Sequence, residues 1–382
     1  MIFQMTQLFA KEVLLYKVLS PSLTKIYPEI KELSPNCLYS FCNNYEEKIG
    51  TSFLQRILGK FYGRIFNKAE KGIILLENMS IESSTISSRD LMKGRNKHQI
   101  MGVDEAKGAM VAMGTFHGVM WNFYKGHCLP TLENRDQNLT ISREDIISYI
   151  DPSSLQFGEP SPTIQKFKER HSWMAKNTFK AVKLMIENFF PDQKHLCSKM
   201  DHYASTRHQS DINELCDRTK MYFGIGHNDL DGRNILVNQG GNKVMLIDYQ
   251  TFAPVHLSQD FWHLVYSCTD QSFRELYLDT CFETYFETLK KYIGDYMPNM
   301  TLNGLKEEFQ EMRLIKALVW APSYFALMLN PELPPQDNLF SGFNEKLDEL
   351  GRANFKPEDE KMMDLRRRVL DVITEASKLD LI

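Results

Sequence analysis

The octet His227-Asn-Asp-Leu-Asp-Gly-Arg-Asn234 packs a histidine, two aspartates, an arginine and an asparagine directly ahead of the aliphatic run Ile235, Leu236, Val237. A second apolar run follows after Asn238-Gln-Gly-Gly-Asn242 and ends on a further acid, Asp248. The glycine- and asparagine-rich link between the runs predicts an antiparallel hairpin. A hairpin returns the chain, so Asp248 arrives beside the loop holding Asp229 and Asn234. Two carboxylates and an amide oxygen then converge. Hard oxygen donors of this kind suit Mg²⁺, which takes one or two carboxylates and leaves positions for phosphate oxygens. Asn234 and Asp248 are the expected metal ligands. Asp229, on the same loop, is left to accept a proton from an attacking hydroxyl, and phosphoryl transfer asks little more of a protein than positioning and charge neutralisation.

The elements that must place these groups follow from hydrophobic spacing. Residues 3–19 carry apolar positions at helical intervals, and Pro21 is expected to end that helix. Residues 60–66 and 72–79 read as two strands of a hairpin, and 80–102 as mostly loop. Ala106, Met110, Met113, His117 and Met120 mark one face of a helix, and a second long helix spans roughly 162–190. Beyond Asp260 the pattern is almost wholly helical: 261–267, 273–292, 305–329 and 358–379, with prolines at 322, 332, 334 and 335 interrupting or ending pieces. The expected class is α+β, with a small strand-bearing portion over 1–79 and a mostly helical portion over 80–382.

Composition excludes several alternatives. Of 382 residues, 43% are hydrophobic and 25% charged, the balance of a folded water-soluble chain. A net charge of −4 gives no global attraction for nucleic acid or an anionic bilayer. No stretch reaches the roughly 18 apolar residues a membrane span needs. The seven cysteines are scattered without a C-x-x-C pair, so free thiols in a reducing, cytoplasmic setting are expected rather than zinc or disulfides.

The loop H-x-D-x-x-x-x-N followed by Leu246-Ile-Asp-Tyr-Gln250 resembles the catalytic and metal-binding loops of the protein-kinase-like superfamily. It is similar above all to the small-molecule branch with aspartate-aromatic-glutamine in place of D-F-G: aminoglycoside phosphotransferases, choline kinases and the ecdysteroid kinase-like (CHK kinase-like) family. The resemblance extends over most of residues 9–295. It implies a bilobal kinase-like fold, ATP and Mg²⁺ as cofactors, and a small alcohol or steroid-like hydroxyl compound as acceptor. It further implies that Asp260 braces the catalytic loop, that the strand ending at Glu77 to Met79 offers backbone groups to adenine, and that Glu12 is the helix glutamate that pairs with an ATP-positioning lysine. The segment 112–121 resembles the family's L-A-x-F-H-A-x-x-W helix. Family members carry a glycine-rich hairpin and the lysine strand ahead of the Glu12 helix, and this sequence has neither. Lys11, adjacent to Glu12, points to a different helix face and is not that lysine. Asn228 stands where the family commonly has glycine. The alternative implied by these departures is a catalytically impaired, pseudokinase-like binding or regulatory protein.

Other residues have plainer readings. His227 is expected to be structural, His117 a hydrogen-bonded core histidine, and Met110, Met113 and Met120 core filler. Arg233, Asp231 and the run Arg366 to Arg368 are expected to be solvated charge. Trp262, Tyr266, Trp320 and Tyr324 are candidates for an acceptor pocket that core packing would explain equally well.

Overall fold

The computed structural model describes residues 11–12, 14–34, 37–41, 73–76, 92–94, 100–129, 131–134, 139–150, 162–215, 217–238, 240–329 and 360–382, some of them as backbone alone. A π-helix, Leu15–Leu19, runs into α1 (Ser20–Leu23), and a 3-10 turn follows at Pro28–Glu32. Then come β1 (Cys37–Phe41), β2 (Ile73–Leu76), β3 (Met92–Gly94) and α2 (Val103–Lys125). β4 (Thr131–Asn134), β5 (Leu139–Ser142) and α3 (Arg143–Ile150) precede α4 (Pro162–Phe189), α5 (His195–Thr206) and α6 (His208–Leu215). Four short strands follow, β6 (Phe223–Gly226), β7 (Ile235–Asn238), β8 (Val244–Leu246) and β9 (Ala253–His256). The remainder is helical: α7 (Ser258–Cys268), α8 (Gln271–Ile293), α9 (Leu302–Glu311), a π-helix Lys316–Trp320, α10 (Ala321–Leu329) and α11 (Glu360–Lys378). The protein is thus a mixed helix-and-sheet chain, mostly helical, with small sheets. None of the described helices is long and apolar enough to cross a membrane.

The chain divides into two compact units. The first comprises Met1–Phe157, Phe223–Leu257 and Cys281–Met300; the second comprises Gly158–Tyr222, Ser258–Thr280 and Thr301–Ile382. The division read from the sequence at residue 79 falls inside the first unit.

In the first unit α2 is the central element. Its first turn carries Asp104 and Glu105, whose charges suit a helix N-terminus, and Glu105 accepts from the Gly102 N–H at 3.2 Å. It stops at Gly126, whose φ of +85° no β-carbon-bearing residue adopts easily. The expected apolar face, from Ala106 to Met120, is buried, and so is most of the opposite face. Glycine makes this possible: a β-carbon on Gly114 would lie 3.0 Å from Thr288 Cβ, and one on Gly118 2.7 Å from Tyr292 Cβ. α2 therefore meets α8 backbone to side chain. His117 is a buried core histidine, its Nδ1 2.8 Å from the Tyr285 hydroxyl.

The sheets contain pairings that the sequence reading did not name. Strand 73–76 forms as expected but pairs antiparallel with β1, Phe41 opposite Ile73, while the proposed partner at 60–66 lies outside the described residues. Within the supposed loop 80–102, Met92–Gly94 forms a strand on the outer edge of β7, Met92 opposite Asn238. Met-Lys-Gly has no β-branched alternation, so only its partner's free edge makes it a strand. β4 and β5 form a hairpin that the periodicity did not mark.

Prolines also behave differently from expectation. Neither Pro21 nor Pro322 ends its helix, because each follows a π-helical turn. Ser20 N–H reaches back five residues to Leu15 O, and Ala321 N–H to Lys316 O. The wider turn removes the regular partner that proline's missing N–H would have needed and leaves room for its ring.

The second unit buries charge. Glu375 accepts from Arg274 Nε at 2.7 Å and from Arg313 Nη2, and Arg313 Nε donates to the Tyr266 hydroxyl at 2.5 Å. The run Arg366 to Arg368, expected to be solvated, is buried at two of its three positions: Arg366 lies 3.8 Å over the Phe189 ring and Arg368 donates to Ser267 O at 2.9 Å. The two lie on opposite flanks of the buried stripe Leu365, Val369, Val372 and Ile373, and delocalised guanidinium groups tolerate burial against rings and carbonyls. Trp262, Tyr266 and Tyr324 are buried here too; Trp262 Nε1 donates to Phe309 O at 2.7 Å and its ring stacks on Tyr266 at 5.6 Å. Cys128, Cys197, Cys268 and Cys281 are free thiols.

Candidate active site

Two loops meet at the end of one two-stranded ladder in the first unit. β6 and β9 pair antiparallel with Phe223 opposite His256 and Gly226 opposite Ala253, so the loop starting at His227 and the turn ending at Phe252 leave the ladder side by side. Thr251 Oγ1 donates to His227 O at 2.9 Å and fixes them together. The hairpin read from the sequence forms the other boundary, with Ile235 opposite Leu246 and Val237 opposite Val244. Its turn is closed by Asn238, whose Oδ1 accepts from Lys243 N–H at 3.0 Å, and by Gly241 at a φ of +74°. One position beyond the ladder, Ile247 N–H donates to Asn234 O at 2.9 Å. Asp248 is the next residue, so the catalytic-type loop and the acid after the second strand are neighbours, as the hairpin argument requires.

His227 is wholly buried, and its Nε2 contacts Ile247 O at 2.9 Å, its ring set between Phe116 and Tyr249. It joins the loop to the residue before Asp248, which is a structural role. Asn228 has a φ of +67°, in the left-handed region where glycine is easiest and asparagine the next best tolerated. Asparagine is thus tolerated at a position where the resembling proteins commonly have glycine. Asn234 is buried, and its Nδ2 donates to Asp229 O at 2.7 Å and to Asp229 Oδ2 at 3.3 Å. The amide nitrogen is thereby turned to Asp229, leaving Asn234 Oδ1 as the atom that could meet a cation.

Asp231 corrects the sequence reading. It is fully buried, and its carboxylate accepts from Arg233 N–H at 2.7 Å, from Arg233 Nε at 3.0 Å and from Arg233 Nη2 at 2.5 Å. A carboxylate oxygen of Asp231 lies within 4.8 Å of one on Asp229, so the guanidinium offsets repulsion that would otherwise open the loop. The signal was present in the spacing: aspartate commonly bonds the N–H two residues on, and here the side chain of the same residue completes a bidentate pair.

Asp248 sits at φ +65°, ψ +57°, a left-handed conformation that Asp tolerates better than most residues. Its Oδ2 accepts from Gln250 Nε2 at 3.3 Å. Burial, reinforced by the charge of Asp231, pushes its carboxyl above the usual aspartate range, while His227, Arg233 and the Gln250 N–H pull the other way. Every charged neighbour among these causes belongs to the 227–234 loop. Glu12 joins the group from the first helical run: burial and then the charge of Asp248 push its carboxyl up to about 7, against a hydrogen bond from the Tyr249 N–H. A helix glutamate is therefore brought to the metal-type turn. Lys11 turns elsewhere, donating to Ile150 O at 3.2 Å and Phe252 O at 3.3 Å.

Of the other expected residues, Glu77 and Met79 lie outside the described residues, and Asp260 is wholly buried in the first turn of α7. Lys11 and Thr251, which anchor the turn, carried no signal in the sequence beyond their chemistry.

Comparison with known proteins bears on the same segment. Residues 153–296 match the model of the Ecdysteroid kinase-like family, a span that contains both loops and the first turn of α7. No curated protein matches the chain.

Proposed function

We propose, taking residues 153–296 as ecdysteroid kinase-like, that the protein is an ATP-dependent phosphotransferase that phosphorylates a hydroxyl of a small alcohol or steroid-like substrate, on a bilobal kinase-like framework. The observations that support this reading are the Ile247–Asn234 backbone bond, which sets the residue before Asp248 beside Asn234, and the Asn234 amide, which holds Asp229.

The donor set fits Mg²⁺. An amide oxygen and a carboxylate are hard ligands, and burial pushes the Asp248 carboxyl above the usual aspartate range, so a divalent cation there offsets the cost of ionising a partly desolvated acid. When bound, the ion neutralises the phosphates of the nucleotide. Asn234 and Asp248 would hold it. Asp229, kept in place by the Asn234 amide, accepts the proton from the acceptor hydroxyl as the oxygen attacks the terminal phosphorus. Asp231 and Arg233 hold the loop that presents it, and His227 fixes that loop to the residue before Asp248. Glu12, Glu77 and Met79 complete the proposed nucleotide site as the resemblance implies.

Calorimetric titration of ATP with and without Mg²⁺ tests the site. Metal-dependent binding that disappears in Asp248→Ala supports it, and equal, metal-independent binding by both proteins removes it. Turnover of ATP with a panel of small alcohols, reduced roughly 100-fold or more in Asp229→Asn, supports the transfer step. Metal-dependent binding with no turnover of any acceptor would favour the impaired, pseudokinase-like alternative.

A further inference from the structure

We infer that Lys11 is a positioning residue for the metal-binding turn, holding residues 248–252 against α3; what that turn binds rests on the phosphotransferase reading above. The Lys11 ammonium bridges two carbonyls from separate elements. One is Ile150 O, the last residue of α3, at 3.2 Å; the other is Phe252 O, at the end of the 3-10 turn Tyr249–Thr251, at 3.3 Å. Carbonyls at helix ends lack intrahelical donors and carry the negative end of the peptide dipoles, so an ammonium is their natural partner. Both bonds are partly buried, where water competes less.

Two neighbours of Lys11 reach the same turn. Glu12 accepts from the Tyr249 N–H, and Tyr16, one helical turn on from Glu12, meets the Tyr249 ring edge-on at 6.0 Å. From the other side, Thr251 Oγ1 holds His227 O. The turn needs such support because Asp248 is a left-handed non-glycine residue, a conformation that persists only where the surroundings fix it. In the resembling family the lysine near this glutamate serves the nucleotide; here Lys11 serves the backbone that carries Asp248.

The test uses the full chain. Mn²⁺ is titrated into the wild type, Lys11→Met and Lys11→Arg and followed by electron paramagnetic resonance, while backbone amide exchange over residues 249–252 is read on the metal-free proteins. Lys11→Met should exchange faster over 249–252 with the melting of the whole chain unchanged, and bind Mn²⁺ about 10-fold more weakly, as loss of a residue supporting a metal ligand does. Lys11→Arg, which keeps the charge and the donors, should restore both. Equal exchange over 249–252 in the wild type and Lys11→Met overturns the inference, whatever the metal does. A wild type that binds no Mn²⁺ overturns the phosphotransferase reading and the metal half of the inference, and the exchange comparison still decides the clamp. If Lys11→Met does not fold, Lys11→Gln, which retains a donor for one carbonyl, provides the same comparison.

Discussion

Replacing Glu12 by glutamine should make the metal-free protein more stable at pH 8 and have a much smaller effect of the same sign at pH 5. Glu12 titrates at about 7 in the folded chain against 4.5 when exposed, because burial and the nearby Asp248 charge both oppose ionisation. The folded state therefore binds the proton more tightly than the unfolded state. Below pH 4.5 both states are protonated and Glu12 costs nothing. As pH rises from 4.5 to about 7 the unfolded chain gives up the proton while the fold retains it, so stability falls through this window and levels off above it. Each pH unit is worth about 1.4 kcal/mol, which sets an upper bound of about 3 kcal/mol, lowered to about 2–3 kcal/mol by the partial exposure of the side chain. Glutamine keeps an oxygen to accept from the Tyr249 N–H and adds no charge, so the variant removes the electrostatic cost and little else. Asp248, raised by burial as well, gains from the loss of its negative neighbour, with the same sign. Urea denaturation of both proteins at pH 5 and pH 8, without divalent ions, is the assay. A stability difference that is the same at the two pH values, or a variant less stable than the wild type at pH 8, refutes the placement of Glu12 beside the metal-type turn.

Other consequences follow from the packing. Asp231→Asn should lose about 1–3 kcal/mol by chemical denaturation, since it breaks the bidentate bond to Arg233 and leaves a buried amide with unmatched donors. Glu375→Gln should cost about 3–5 kcal/mol, because two buried guanidinium groups, Arg274 and Arg313, lose their common counter-charge; an unchanged denaturation midpoint contradicts that arrangement. Gly118→Ala should destabilise by about 1–3 kcal/mol, as the added carbon would meet Tyr292 Cβ at 2.7 Å and force α2 from α8; a melting temperature equal to wild type shows that the close approach is not there.

How much of this was legible in the sequence depends on whether the determinant was local. The hairpin from Ile235 to Leu246 was readable because its turn residues and its two apolar runs are adjacent, and the proximity of Asp248 to Asn234 follows from the return of the chain. Helices 103–125 and 162–189 were readable from their periods. Strand partners were not: β2 lies against β1 and β3 against β7, choices made by which edges remain free, of which a single strand's alternation says nothing. Pro21 was taken as a stop because the rule assumes an α-helix, and a π-turn before it removes the assumption. Asp231 and Arg366 were taken as solvated from their charge alone, whereas each is buried with a partner that its charge makes possible. In the candidate site the three expected residues came from one motif and its spacing; Lys11 and Thr251 act through backbone carbonyls, which leave no trace in side-chain patterns.

The central claim is that Asn234 and Asp248 share one divalent cation beside Asp229. The most direct measurement is anomalous diffraction from crystals grown with Mn²⁺ and ATP. The account predicts a manganese peak about 2.1 Å from Asn234 Oδ1 and from a carboxylate oxygen of Asp248. A peak ligated by other residues, with these two turned away from it, contradicts the account.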